Sequence, residues 1–161
     1  MGNKLHETDE NTGTMEVLER HQFDVSKLQD FMYENIEGFE GNIKLEEFKG
    51  GQSNPTYKVI TPNQSYVLRR KPPGKLLKSA HAVDREYKVI TGLNKTDVPV
   101  PKSYALCEDD DVIGTAFYLM EFKDGRVLWD AAMEDSDKNE AFGVYKSMNC
   151  LLYTSDAADD C

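Results

Sequence analysis

A glycine-rich segment between two alternating segments constrains the fold of this chain most strongly. Residues 50–57 are Gly-Gly-Gln-Ser-Asn-Pro-Thr-Tyr, and apolar and polar residues alternate before it (43–49) and after it (56–61). Such alternation predicts β-strands, and paired glycines let backbone amides approach an anionic group closely. The pattern predicts a hairpin that carries a phosphate-binding loop. An ordinary hairpin turn is the alternative, because glycine, asparagine and serine dominate those turns too.

Three more alternating segments extend this hairpin into a sheet. The next strand, at 65–71, ends at Pro72-Pro73-Gly74, and two later strands, near 102–107 and 112–122, are separated by a charged hairpin turn. We therefore expect residues 43–122 to form a five-stranded antiparallel sheet with one helix packed across it.

Two helices are predicted from apolar residues at helical spacing. Asp24 is a candidate N-cap for the first helix, whose apolar positions end before Gly38, and the second covers about 80–94. Their apolar stripes consist of Leu28, Phe31, Met32 and Ile36 in the first helix and Val83, Tyr87, Ile90 and Leu93 in the second. Residues 130–148 have only weak helical character. The fold class is α+β, with an N-terminal helix in addition to the helix on the sheet.

Composition narrows the classes of partner. The 161 residues are 39% hydrophobic and 30% charged, with a formal net charge of −10, so no basic surface for a nucleic acid is predicted. No apolar run approaches the ~20 residues of a transmembrane helix, and the N-terminus lacks a hydrophobic signal core. We expect neither a nucleic acid nor a membrane as partner, and a cytoplasmic location.

Five sequence strings together resemble one family. They are GGQSNPTY at 50–57, YVLRRKPPG at 66–74, SAHAVDREYKVI at 79–90, VPVPK at 98–102 and GTAFYLMEFKDGRV at 114–127. The chain resembles the aminoglycoside phosphotransferase-like family over roughly residues 24–130, and within it the branch found fused to acyl-CoA dehydrogenases. The resemblance implies the N-terminal lobe of a protein-kinase-like fold, which binds ATP.

Within this resemblance the glycine-rich loop and the following strand hold the phosphates. The implied phosphate-binding residues of the loop are Gly50, Gly51, Gln52, Ser53, Asn54 and Thr56. Alternation places Val67 and Arg69 on one face of a strand, so Val67 can pack on adenine while Arg69 reaches the phosphates. Related kinases usually have lysine there, and arginine is bulkier. A solvated Arg69 without a ligand is the alternative.

The helix and the last strand supply the remaining implied nucleotide-binding residues. Glu86 would pair with Arg69 and orient it, whereas an ordinary exposed helix glutamate is the alternative. Met120, Glu121 and Phe122 would line the adenine edge, although a core strand has the same apolar pattern.

The second half of such a kinase is not recognisable in the sequence. The family's catalytic aspartate, its His-Gly-Asp segment and its metal-binding aspartate lie downstream, and no such motif occurs between residues 130 and 149. No catalytic and no metal-binding residue is assigned in this chain, although Mg²⁺ is implied for the full-length parent. The parent would transfer the γ-phosphate of ATP to a small-molecule hydroxyl acceptor, possibly a hydroxyacyl-CoA. A non-catalytic, pseudokinase-like nucleotide-binding or interaction module is the alternative.

The chain divides into four segments by composition and pattern. We expect a mobile leader at 1–21, the kinase-like N-lobe at 22–130 and the start of a truncated C-lobe at 131–149. Residues 150–161 resemble the translation of a transposase adaptor used to build sequencing libraries. We expect this last segment to be an adaptor-derived artefact and the natural sequence to break off near Asn149.

Overall fold

The computed structural model describes residues 12–50, 54–74, 82–125, 128, 133 and 136–159, the last nine by backbone alone. Six strands lie in these residues: β1 (Thr14–Met15), β2 (Lys44–Phe48), β3 (Thr56–Ile60), β4 (Ser65–Arg70), β5 (Ser103–Cys107) and β6 (Phe117–Glu121). The helices described there are α1 (Val25–Asn35), α2 (Val83–Leu93), the short α3 (Asp110–Ile113), α4 (Lys138–Asp159) and a 3-10 turn, Glu19–His21.

All six strands form one antiparallel sheet in the order β1-β2-β3-β4-β6-β5. The five strands predicted between residues 43 and 122 are therefore confirmed. Strand β4 lies inside the sheet, where its Leu68 pairs with Tyr57 of β3 on one edge and with Leu119 of β6 on the other. This position gives β4 a partner strand on each edge.

The sixth strand falls in the segment predicted as a mobile leader. Thr14 and Met15 pair with Phe48 and Glu47, and the Glu47 carboxylate accepts from the Leu18 amide at 3.0 Å and contacts His21 Nδ1 at 2.7 Å. The leader prediction is therefore wrong for residues 14–21. Two residues are too few to give a periodic signal, so the partner strand, rather than local pattern, holds this segment.

The charged turn predicted at 108–111 is also different in the structure. Asp109 Oδ1 accepts a hydrogen bond from the Asp111 amide at 2.9 Å and so caps the start of α3. Gly114, with φ of 85°, caps its end. Strand β6 therefore begins at Phe117 and not near residue 112. The local cap overrides the short apolar alternation.

One face of the sheet packs against α1. Asp24 caps this helix as predicted, accepting from the Ser26 amide at 2.9 Å, and Leu28 and Met32 are fully buried. They join the buried side chains that alternate on the central strands, namely Tyr57, Val59, Tyr66, Leu68, Phe117 and Leu119. This layer is the main core of the lobe.

The opposite face packs against α2. Val83 and Tyr118 are buried together there, with Tyr87, Ile90 and Leu106 against them. The end of α2 is tied to the sheet because Asn94 Oδ1 accepts from the Ser103 amide at 2.9 Å, while Asn94 Nδ2 donates to Pro101 O at 3.0 Å. The predicted helix packed across the sheet is therefore confirmed, and it is anchored near both ends.

Helix α4 leaves part of its apolar surface uncovered. Phe142 and Met148 are 69% and 56% exposed, and Tyr145 between them is also exposed. The weak helical character expected over 130–148 corresponds to a helix that begins at Lys138 and whose backbone continues to Asp159. In the part of the chain that the structure describes, no helix is long and apolar enough to cross a membrane.

The buried Tyr57 generates a prediction for alkaline stability. Burial raises the pKa of its hydroxyl from 10.0 to about 12. The unfolded chain ionises first, so this contribution to the free energy of unfolding is present below pH 10 and is lost as pH rises through about 12. Urea unfolding followed by circular dichroism across this window should show a shallower fall for Tyr57→Phe. Exposed Tyr33→Phe is the control, and equal slopes for both variants would contradict the prediction.

Candidate functional site

An open cleft of about 510 Å³ lies on the α2 side of the sheet. Its floor comes from alternating residues of two central strands, Thr56 and Lys58 on β3 and Val67 and Arg69 on β4. The opposite parity on these strands belongs to the buried core, so the strand period alone divides core from cleft. The volume lies within the range usual for small-molecule sites, ~300–1,000 Å³.

Five of the predicted nucleotide-binding residues line this cleft: Gly50, Thr56, Val67, Arg69 and Phe122. Asn54 lies behind it, 4% exposed. Met120 instead packs into the α2 cluster, and the Glu121 carboxylate contacts Lys123 Nζ at 2.8 Å and the Lys102 amide at 3.2 Å. The predicted loop residues Gly51, Gln52 and Ser53 lie outside the described residues. The nucleotide-binding roles of all these predicted residues remain predictions.

Arg69 and Glu86 meet at the edge of the cleft. Arg69 Nε lies 2.8 Å from Glu86 Oε2, and the side chains are 33% and 37% exposed. The predicted approach of the two is therefore confirmed. The Nε–H does not point along this line, so the contact is an ion pair at short range and not a hydrogen bond. Partial solvent exposure keeps its contribution to stability small.

Two further side chains contact the same carboxylate. The Tyr118 hydroxyl donates to Glu86 Oε2 at 3.2 Å, and the Asn54 amide donates to Oε1 at 3.3 Å. Burial raises the pKa of Tyr118 well above its ordinary value, so its hydroxyl stays protonated as a donor. Sequence analysis missed Tyr118, although its parity with Met120 on β6 is a signal that could have placed it on the α2 face.

The lining of the cleft also includes aromatic rings and a second cation. Phe48 and Phe122 have nearly parallel rings, 19° apart with centroids at 6.4 Å, and Lys58 Nζ lies 4.1 Å from the Phe122 ring centroid. Sequence analysis missed Phe48 and Lys58. Lys58 could have been found, because it shares the strand parity of Thr56. The two rings offer flat apolar walls suited to an aromatic ring.

Metal ligands do not assemble in the described residues. No group of three histidine, cysteine or acidic side chains lies close enough there to hold a metal ion. The donors present at the cleft are instead cations and amides, which suit an anionic ligand. The expectation that the magnesium ligands of the full-length parent lie outside this chain stays a prediction.

Comparison with known proteins places this geometry in a family. Residues 44–145, more than half of the chain, match the phosphotransferase enzyme family known as APH. The chain belongs to this phosphotransferase family. A crystal structure from Ralstonia eutropha, assigned as an aminoglycoside phosphotransferase, superposes with a TM-score of 0.71 at 47% sequence identity, over 83% of this chain and 38% of that one. The fold is thus that of a kinase-like N-terminal lobe.

Curated relatives extend the comparison to longer proteins. The probable acyl-CoA dehydrogenase IBR3 of Arabidopsis thaliana is 44% identical over 147 residues, which cover 86% of this chain and 18% of that protein. Acyl-CoA dehydrogenase family member 11 of Homo sapiens is 40% identical over 134 residues, 81% of this chain and 17% of that protein. The chain therefore spans less than a fifth of the length of these relatives.

Substitution of the two adjacent arginines of β4 tests which of them lies on the core face and which on the cleft face. Arg70 is 3% exposed, donates to Thr115 Oγ1 at 3.1 Å and lies 5.1 Å above the Phe23 ring. Arg70→Ala should lower the free energy of unfolding by about 2 kcal/mol or more, because it leaves buried partners uncompensated. Arg69→Ala should lower it by about 1 kcal/mol or less. Denaturant titration measures both, and an equal loss for the two variants would contradict the assignment of the faces.

Proposed function

We propose that this chain forms the ATP-binding half of a small-molecule phosphotransferase that moves the γ-phosphate of ATP to a hydroxyl group. The observation that carries the proposal is the Arg69–Glu86 ion pair at the edge of a cleft that Gly50 also lines. A cation held by a helix carboxylate beside a glycine-rich loop is the arrangement that phosphate positioning requires. Membership of a phosphotransferase family supports the same conclusion.

Two sets of cleft residues suit the two parts of a nucleotide. The Arg69 guanidinium would contact phosphate oxygens, and Gly50 begins the loop whose amides would contact them too. Phe48, Phe122 and Val67 form apolar walls that would pack on the base. Phosphoryl transfer demands little covalent chemistry from the protein, so positioning of this kind is its main contribution.

The acceptor class is proposed from the relatives. Relatives that share this region are named acyl-CoA dehydrogenases, and a dehydrogenase of that name acts on acyl-CoA. We therefore propose a hydroxyacyl-CoA as acceptor, phosphorylated on its hydroxyl. The chain spans less than a fifth of these relatives, so this proposal concerns the whole phosphotransferase.

Nucleotide titration tests the cleft assignment. The extended protein, in which residues 1–149 continue into a complete phosphotransferase domain, is titrated calorimetrically with ATP. Arg69→Ala should weaken binding about ten-fold or more, because it removes a charge-assisted contact to phosphate. Lys88→Ala is the control, since Lys88 is 72% exposed on α2 and pairs with Asp84. Equal affinity for Arg69→Ala and the control would refute the assignment. Binding without transfer to any hydroxyl would identify a non-catalytic module instead.

Residues 1–149 alone should bind nucleotide weakly and transfer no phosphate. The cleft would position the nucleotide, but the charge of the transferring group stays uncompensated and the acceptor hydroxyl unoriented, because the groups for both tasks are expected downstream. Phosphoryl transfer from radiolabelled ATP to a hydroxyacyl-CoA, compared with the extended protein, measures this. Turnover by residues 1–149 that Arg69→Ala abolishes would show that the described half contains the catalytic groups.

A further inference from the structure

The Glu86 carboxylate is held by three different elements of the lobe. Oε2 is contacted by Arg69 Nε of β4 at 2.8 Å and by the Tyr118 hydroxyl of β6 at 3.2 Å. Oε1 accepts from Asn54 Nδ2, just before β3, at 3.3 Å. One carboxylate thereby joins α2 to two strands and to the end of the glycine-rich segment.

Tyr118 is placed for this contact by both sheet and helix. It pairs directly with Arg69 across β4 and β6, so its hydroxyl and the arginine reach the same carboxylate from neighbouring strands. The ring is 2% exposed and packs against Val83, and its centroid lies 6.0 Å from that of Tyr87. A ring held this tightly leaves the hydroxyl little freedom to move from Glu86.

Without such contacts, a glutamate on a helix surface would have rotational freedom that is incompatible with positioning another group. Glu86 is 37% exposed and has three side-chain torsions, so the ion pair alone would not fix its carboxylate. Two hydrogen-bond donors, one on each oxygen, define both the place and the plane of the carboxylate. The Arg69 Nε–H is not aligned with Oε2, so it does not orient the carboxylate. The hydrogen bonds from Tyr118 and Asn54 do so, and the negative charge of Glu86 then attracts the guanidinium.

We propose that Tyr118 is a positioning residue, which with Asn54 holds the Glu86 carboxylate in the place where it fixes the Arg69 guanidinium. The consequence for nucleotide use rests on the proposed function above, whereas the effect on Arg69 does not. Asn54 is 4% exposed and its carbonyl accepts from Thr56 Oγ1 at 3.0 Å.

The first measurement needs no nucleotide. The extended protein is treated with a dicarbonyl reagent that modifies guanidinium groups, and the rate at Arg69 is followed by peptide mass spectrometry. Tyr118→Phe keeps the ring and removes the hydroxyl, and it should raise the rate at Arg69 about three-fold or more as the ion pair loosens. Arg70, 3% exposed, is the internal reference within the same peptide.

Tyr87→Phe is the matched control for this measurement. This variant removes a hydroxyl from the neighbouring ring on α2. Among the described residues the Tyr87 hydroxyl has no hydrogen-bond partner, so Arg69 should be modified in this variant at the same rate as in the wild type. Tyr118→Met, which also lacks the hydroxyl but has a smaller and more flexible side chain, serves as the second variant if Tyr118→Phe does not fold. Equal rates at Arg69 in the wild type and in the variant that lacks the Tyr118 hydroxyl would overturn the inference.

The second measurement tests the consequence for the nucleotide. Tyr118→Phe should raise the dissociation constant for ATP about three- to ten-fold, with an unchanged melting temperature. In a Glu86→Gln background the same substitution should add no further loss, because its effect passes through the carboxylate. Full additivity would overturn the positioning role. Faster modification of Arg69 in a protein whose wild type binds no ATP would uphold the positioning role and refute the proposed function instead.

Discussion

The strict alternation of side chains along β4 is the constraint on which the rest of this lobe depends. Leu68 and Arg70 point into the core beneath α1, whereas Val67 and Arg69 point to the cleft beneath α2. A slip of one residue in register would exchange the two sets and place Arg69 in the apolar core. Pairing of β4 with β3 and β6 on both edges makes such a slip costly, because every cross-strand partner would change face with it.

Helix α2 converts that alternation into a site. The cation on β4 acquires a partner only because the helix is held against β5 and β6, by buried Val83 at its start and by the Asn94 hydrogen bonds at its end. Between these anchors Glu86 falls opposite Arg69. The apolar contacts and the polar clamp therefore supply the rigidity, and the exposed ion pair contributes geometry more than stability.

Periodic segments were predictable, and contacts between distant segments were not. The apolar stripes of α1 and α2 and the alternation of β2 to β4 reflect local patterns, and for that reason their positions were predicted within a few residues. Strand β1 and helix α3 depend on a partner strand and on the cap of Asp109, which no periodicity reports. The Arg69–Glu86 pair followed from a resemblance combined with parity. The contact of the Tyr118 hydroxyl was not predicted, because tyrosine has both an apolar ring and a polar hydroxyl. In an apolar strand its sequence pattern is the same whether or not the hydroxyl donates to a partner.

Net charge and local charge act differently in this molecule. The chain carries −10 overall, yet Lys58, Arg69 and Lys123 all line the cleft. Two of these cations contact acids, Arg69 with Glu86 and Lys123 with Glu121, and the acidic Asp124 lines the cleft together with Lys58, so the net charge of the lining is small. Under the proposed function, attraction of a phosphate by Arg69 would come from the closeness and direction of its guanidinium more than from a positive field. This is why the orientation of the pair, which Glu86 and its two donors control, matters more at this cleft than the number of cations in it.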